Sequence, residues 1–441
     1  MLALNSYAKQ RTYSRLPLIC VVAGLTVATN GLAQTLPKPL TVAPVDVPSL
    51  PTVTHHDLID FDSSLSLAKL VDLTLEKYPD SHWLDSLEEE AKAIYQRGQS
   101  WVAGAPQAGL RFQEATSGTL HYVDGTVQVP LWNLGQREAE QKLASQAEDS
   151  QVNQAAAIKL RVAGLVRQAL WDMELQKIRF EQATSETEVF GQLLKNIMRR
   201  VELGDLPRAD ALLAETELLQ KRSTMTLAEA ELMHSRKRYQ SITQITKAPA
   251  KFQEQVVSLK EIQQNHPALA ALNSQISRKQ AELEALKLTG DGQTNLTVGV
   301  NSDRGNNDPR SNHTESFNIG VNVPFGGSAH RAPHIAAVNV ELNRLISERE
   351  QLFRNLEQAH HEAEHNLEVN RVELDISNQL KQVAEQHLSM MQVAFSVGEI
   401  DLMDLLKVQA RTHQAILNAK ERALILERDQ AFYNQAVWIL P

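Results

Sequence analysis

Cysteine is almost absent from this sequence: Cys20 is the only one among 441 residues. No run of 18 or more apolar residues occurs after the first thirty-odd positions, so no helix of the mature chain is expected to span a bilayer. Proline is missing from Gln136 to Leu203 and from His334 to Leu440, and glycine from Ser328 to Val397. Aromatic residues make up only 5% of the chain. A G-x-S-x-G elbow, a phosphate-binding P-loop and a dinucleotide fingerprint are all lacking, which removes the commonest motif-borne chemistries. A basic excess is lacking too: the net charge of −9 argues against a general nucleic-acid binder, which needs cations to displace phosphate counterions. Apolar residues at 42% and charged residues at 22% are near globular averages and exclude a disordered chain.

The N-terminus has the pattern of an export signal. Lys9, Arg11 and Arg15 form a positive region. Leu16 to Ala28 is an apolar stretch too short for a spanning helix, and Gly31-Leu32-Ala33 offers small residues for cleavage before Gln34. Cys20 lies inside the apolar stretch behind Ile19, not behind the small residue a lipoprotein signal needs, so no lipid anchor is expected. The mature chain would then carry no thiol and no disulfide. Residues 34–64 form a proline-rich extension, expected to be an extended strap or linker.

The remainder reads as one unit written twice. Val127-Gln128-Val129-Pro130-Leu131 is echoed by Val321-Asn322-Val323-Pro324-Phe325. Val201-Glu202-Leu203-Gly204-Asp205 is echoed by Phe395-Ser396-Val397-Gly398-Glu399, at the same offset of about 194 residues. A third echo, Lys77-Tyr78-Pro79 against Asn265-His266-Pro267, lies a few residues out of phase. The repeats are expected over 65–247 and 265–441, joined by a segment at 248–264. Each predicts a helix, a strand pair, a very long helix, a glycine tip (201–207 and 396–400) and a returning helix.

The breaker-free segments are rich in Ala, Leu, Glu, Gln, Lys and Arg, the strong helix formers. Apolar residues recur at three- and four-residue steps, as in Val372, Ile376, Leu380 and Val383, a stripe of coiled-coil type. A helix of some 67 residues is about 100 Å long, which suits a structure crossing a wide aqueous gap. The flanking helices, about Ser81 to Ala103 and Arg208 to Thr246 in the first half, together nearly match the long one between them.

The strand pairs, about 108–130 and 294–325, carry the membrane signal. Leu296, Val298 and Val300 alternate with Thr297, Gly299 and Asn301; Phe317, Ile319, Val321 and Val323 alternate with Asn318, Gly320 and Asn322. This period suits a barrel wall with lipid outside and water inside. In the first pair, Leu110 and Phe112 fit one strand and Val127 and Val129 the other, with His121 to Gly125 breaking the pattern. Four strands cannot close on themselves, whereas three copies supply twelve.

From about Leu65 onward the chain resembles the TolC family of outer-membrane efflux proteins. The strand-ending Val-x-x-Pro-Leu/Phe followed by glycine, with Pro130 and Gly135 and then Pro324 and Gly326, is similar to the family's membrane–periplasm junction. Val397-Gly398 followed by Asp404-Leu405-Leu406 is similar to its periplasmic tip, and Ala214-Glu215 also fits. The Leu440-Pro441 ending and the second-half pattern resemble the heavy-metal efflux branch. The resemblance implies a mainly α fold with a small β part, a homotrimer with a 12-stranded barrel on an α-helical tunnel, and no cofactor. It implies a passive outer-membrane duct for small molecules or metal ions, driven by an inner-membrane pump of the resistance-nodulation-division type through a periplasmic adaptor. Asp404, with its repeat mate Asp210 and with Asp401, is then a candidate for the aperture. Leu203, Gly204, Val397 and Gly398 are candidate adaptor contacts. Lys407 stands where some members place a second aspartate.

Three other readings fit parts of the sequence. One is the outer-membrane component of a type I secretion system. The second is a soluble periplasmic coiled-coil adaptor, which should have one helical hairpin between lipoyl-like β-halves and not two matched halves. The third is a zinc protease or surface metal contact, because His361-Glu362-Ala363-Glu364-His365 spells H-E-x-x-H, with Glu385 and His387 as notional further ligands.

Overall fold

The computed structural model describes residues 58–116, 121–257, 261–305 and 313–441. The expected export signal and most of the proline-rich extension lie outside the described residues. In chain order the elements are β1 (Asp60–Asp62), α1 (Leu67–Lys77), α2 (Asp80–Gln99), β2 (Gln107–Glu114), β3 (His121–Leu131), α3 (Gln136–Glu202), α4 (Arg208–Thr243), β4 (Lys247–Pro249), α5 (Pro267–Leu288), β5 (Thr294–Arg304), β6 (His313–Asn322), α6 (Ser328–Ser396) and α7 (Leu402–Ala436). The sequence α2-β2-β3-α3-α4 thus recurs as α5-β5-β6-α6-α7.

The two long helices run 67 and 69 residues. α3 packs on α2 and α5 along one stretch and on α4 and α7 along the other; α6 packs on α5 and α7. Laterally the order is α2–α3–α5–α6 in one layer and α4–α3–α7–α6 in the next. α6 starts six residues ahead of the proline-free segment, with Pro333 inside it. That proline, in the second turn of the helix, gives up the hydrogen bond its nitrogen would donate. α2 stops at Gln99, short of the expected Ala103, and α4 stops at Thr243, where Gln244 turns left-handed at φ 54°.

The four central strands form one antiparallel sheet in the order β2-β3-β5-β6. Its register sorts side chains by face, because residues directly opposite each other point the same way. Ala108, Val127, Val298 and Ile319 form one row, and Leu110, Gly125, Val300 and Phe317 the next. The opposite face carries the rows Gly109, Thr126, Gly299, Asn318 and Arg111, Asp124, Asn301, Ser316. β3 runs unbroken through His121 to Gly125, with Val123 and Gly125 on the apolar face and Tyr122 and Asp124 on the polar one. Asp124-Gly125 has turn-like composition, but the register uses glycine as the one small member of an apolar row.

Where the two helical layers meet, a core gathers around Leu70, Val162, Val166, Leu170 and Trp171, closed by Tyr239, Ala248 and Phe252. Trp171 and Phe252 meet edge to face at 4.8 Å. The parallel pair β1–β4 lies beside this core and was not foreseen; Tyr239 donates to the Lys247 carbonyl at 2.6 Å, fixing β4. Among the described residues no helix is long and apolar enough to cross a membrane.

Candidate functional site

Both glycine tips are built alike. At the first, Gly204 has φ +78° and donates to the Val201 carbonyl, while Asp205 donates to that of Arg200. At the second, Gly398 has φ +82° and donates to Phe395, while Glu399 donates to Ala394. These are paired Schellman closures, which need a left-handed residue and therefore favour glycine. They leave Leu203 and Val397 as protruding apolar side chains, 76% and 67% exposed.

The tips lie side by side. Arg200, at the end of α3, pairs with Asp205 at 2.6 Å, stacks over Phe395 at 5.0 Å and donates to its carbonyl at 3.4 Å. Beneath them Phe190, Ile197, Ala214, Leu218, Leu402 and Leu406 form a local apolar core. Arg200 was not singled out from sequence; its partner Phe395 is 195 residues away.

The aspartates differ in their engagements. Asp401 is the N-cap of α7, its carboxylate accepting from the Asp404 amide at 2.8 Å. Asp404 is exposed in the first turn, and Lys407 donates to it at 3.1 Å. Asp210 sits half-buried in the first turn of α4. Asp401 is thus committed to capping, while Asp404 and Asp210 keep carboxylates at the tip end of the bundle.

At the other end of the long helices, Gly135 (φ 76°) and Gly326 (φ 78°) turn the chain from strand toward helix after Pro130 and Pro324. Asn133, unmarked in the sequence, donates to the carbonyls of Thr289 at 2.7 Å and Gly292 at 3.0 Å. It fastens the first strand-to-helix turn onto the end of α5. Asp291 answers in the second half, accepting from Arg331 at 2.6 Å. That hydrogen bond holds the Asp291 carboxyl below the usual carboxylate range.

The H-E-x-x-H pattern is not assembled into a metal centre. His361 and His365 stack one turn apart at 6.4 Å on the exposed side of α6. Glu385 and His387 lie on the same continuous helix, about 30 Å or more further along, and cannot reach the pair. Among the described residues no group of three or more acidic, histidine or cysteine side chains is placed to hold a metal.

No protein-family model matches the chain, and no curated protein matches its sequence. Solved structures do match. CusC, whose structures concern folding and transmembrane channel formation, has a TM-score of 0.67 at 13% identity, covering 88% of this chain and 95% of that one. The CmeC outer membrane channel of Campylobacter jejuni has a TM-score of 0.65 at 12% identity, covering 84% and 85%. The outer membrane protein VceC of Vibrio cholerae has a TM-score of 0.63 at 11% identity, covering 84% and 94%. Such near-equal scores do not select a branch. Each covers 84% or more of this chain, and the chain therefore has the fold of the TolC-like outer-membrane efflux channels.

Proposed function

We propose that the chain is one protomer of a homotrimeric exit duct in the outer membrane of a Gram-negative bacterium, passing small molecules or metal ions outward for a partner inner-membrane pump. The observation that carries this reading is the two-faced sheet with open edges. Its apolar rows need lipid, its polar rows need water, and each edge strand bonds to a neighbour on one side only. In a bilayer such edges must be paired, since unpaired backbone groups cost several kcal/mol each, roughly. β2 and β6 run in opposite directions, so β6 of one copy can extend the antiparallel ladder onto β2 of the next.

The helices support the same closure. α6 contacts α5 and α7 on one side, while Val340, Val369, Val372, Ile376, Leu380 and Val383 are exposed on another. α4 at the opposite end of the lateral order exposes Leu212, Leu219 and Leu227. A ring of three copies brings α6 of one against α4 and α2 of the next, burying both stripes.

Conduction through such a duct needs no bond chemistry. Rings of Asp404 and Asp210 at the narrow end would favour cations and resist opening. Replacing Asp404 with alanine is expected to raise single-channel conductance in planar bilayers; unchanged conductance would argue against a gate there. The protruding tips suit docking by an adaptor that links the duct to a resistance-nodulation-division pump. A cysteine at Leu203 or Val397 is expected to crosslink to that adaptor in cells with a working pump, and absence of any adduct would remove the tips from the interface.

A further inference from the structure

Conduction leaves the histidine pair on α6 without a role. His361, Glu364, His365 and Glu368 follow one another at steps of three and four residues, which sets all four on one face of the helix. All four are exposed. The two imidazole rings lie parallel to within 11°, with centroids 6.4 Å apart. Apart from that stacking, none of the four makes a hydrogen bond or ion pair among the described residues. They border a shallow hollow of about 390 Å³, shared with Arg371 and with Tyr433 of α7. Burial, and after it the Glu364 carboxylate, raise the Tyr433 phenol above its usual range, so the phenol stays neutral there. Two carboxylates against one guanidinium leave the hollow with an excess of negative charge. Glu362, between the two histidines in sequence, lines a different cavity, so the pair does not build the zinc-protease arrangement. His330 and His334 repeat the four-residue spacing at the start of α6. There Arg331 and Pro333 stand between them, and no carboxylate lies three residues from either.

We propose that His361 and His365 chelate one divalent cation of tetragonal preference, copper(II) ahead of nickel(II) and zinc(II), through one ring nitrogen each. Water completes the coordination, and Glu364 and Glu368 supply compensating charge. Imidazole suits these ions, and the affinity of a nitrogen site peaks at copper(II) in the divalent series. With metal–nitrogen bonds of about 2.0–2.1 Å, two nitrogens at adjacent corners of a square lie about 3 Å apart. The rings can close to that distance by side-chain rotation, because both are exposed and no hydrogen bond holds either. Among the described residues no group of three or more acidic, histidine or cysteine side chains is placed to hold a metal, which excludes a closed structural centre and leaves an open one. The chelate belongs to one stretch of α6 and stands whether or not the chain is a duct, so its test needs no pump.

The test uses the full-length protein in detergent, without a histidine tag, titrated with copper(II), nickel(II) and zinc(II) by isothermal calorimetry. Electron paramagnetic resonance reads the ligands of the bound copper. One tight copper per chain is expected, with a tetragonal spectrum split by two imidazole nitrogens. His361→Ala and His365→Ala should each weaken binding about tenfold or more. Combining His365→Ala with Asn366→His keeps the number of histidines but takes one off the shared face, and it should weaken binding as much. Glu364→Gln with Glu368→Gln should weaken it to a smaller extent, and His330→Ala with His334→Ala should leave it intact. Absence of a saturable site, zinc bound ahead of copper, or a spectrum without two imidazole nitrogens would each overturn the proposal. So would wild-type affinity in the displaced-histidine variant or in the carboxylate variant, or loss of the tight site with His330 and His334. If an alanine variant lowers the melting midpoint, His361→Gln and the spectrum of the wild-type protein still decide it.

Discussion

Replacing Arg167 with methionine should cost about 3–5 kcal/mol and sharply reduce the amount of assembled protein, because it strands a buried carboxylate. The Arg167 side chain is fully enclosed. It donates to both oxygens of Glu254 at 2.7 Å, to the Gln435 side chain, and to the Ile439 carbonyl at 2.8 Å. One guanidinium thus ties α3 to the segment after β4 and to the C-terminal end of α7. Asn434 adds to the knot, donating to Glu254 at 3.3 Å and to the Gln255 carbonyl at 2.9 Å. Arg167→Lys should lie between, keeping the charge but losing the two-pronged fit to the carboxylate. Adding Glu254→Leu to Arg167→Met should recover most of the loss, since an apolar replacement of both partners removes the stranded charge. Heat dissociation of the oligomer compares all three variants with wild type. A single Arg167→Met variant melting with wild type would show that the pair does not hold the layers together.

The second large effect distinguishes the faces of the sheet. Ile319 stands on the apolar face, 67% exposed, in a row with Val298, Val127 and Ala108. If that face meets hydrocarbon, Ile319→Arg should cost about 2–4 kcal/mol per chain, and three copies per barrel multiply it. Gly320, its neighbour, points to the other face, where among the described residues an added Cβ meets nothing within 4 Å. Gly320→Arg should therefore assemble almost normally. The readout is the yield of heat-modifiable oligomer in the outer-membrane fraction. Equal yields for the two variants would mean that the apolar face does not contact lipid.

The helical part of this fold was legible because its determinants are local. Missing breakers and a three- and four-residue apolar step are visible in any window, and α3 begins and ends within a residue of the proline-free segment. The second hairpin was legible for the same reason, through strict alternation. The first was less regular: His121 to Gly125 break the alternation, and pairing of Asp124 with Asn301 and Gly125 with Val300 carries the strand through them. Long-range polar ties were not legible at all. Asn133 and Arg167 find their partners 87 to 272 residues away, Arg200 reaches the Phe395 carbonyl 195 residues away, and nothing in their neighbours' identities marks them. The tips show a middle case. The glycines were read correctly as turns, but the division of labour between Asp401 as cap and Asp404 beside Lys407 depends on backbone geometry.

The central claim is that each chain supplies one third of a β cylinder, and the edges of the sheet test it most directly. Within one chain β2 and β6 are three strand spacings apart, about 14 Å, too far for a disulfide. The mature chain is expected to have no cysteine of its own. A cysteine at Arg111 or Gln113 on β2, combined with one at Ser316 on β6, can therefore link only between copies. Oxidation in the outer membrane should give a covalent ladder that stops at three chains. Chains that stay single at every pairing tried, or a ladder that climbs past three, would contradict the account.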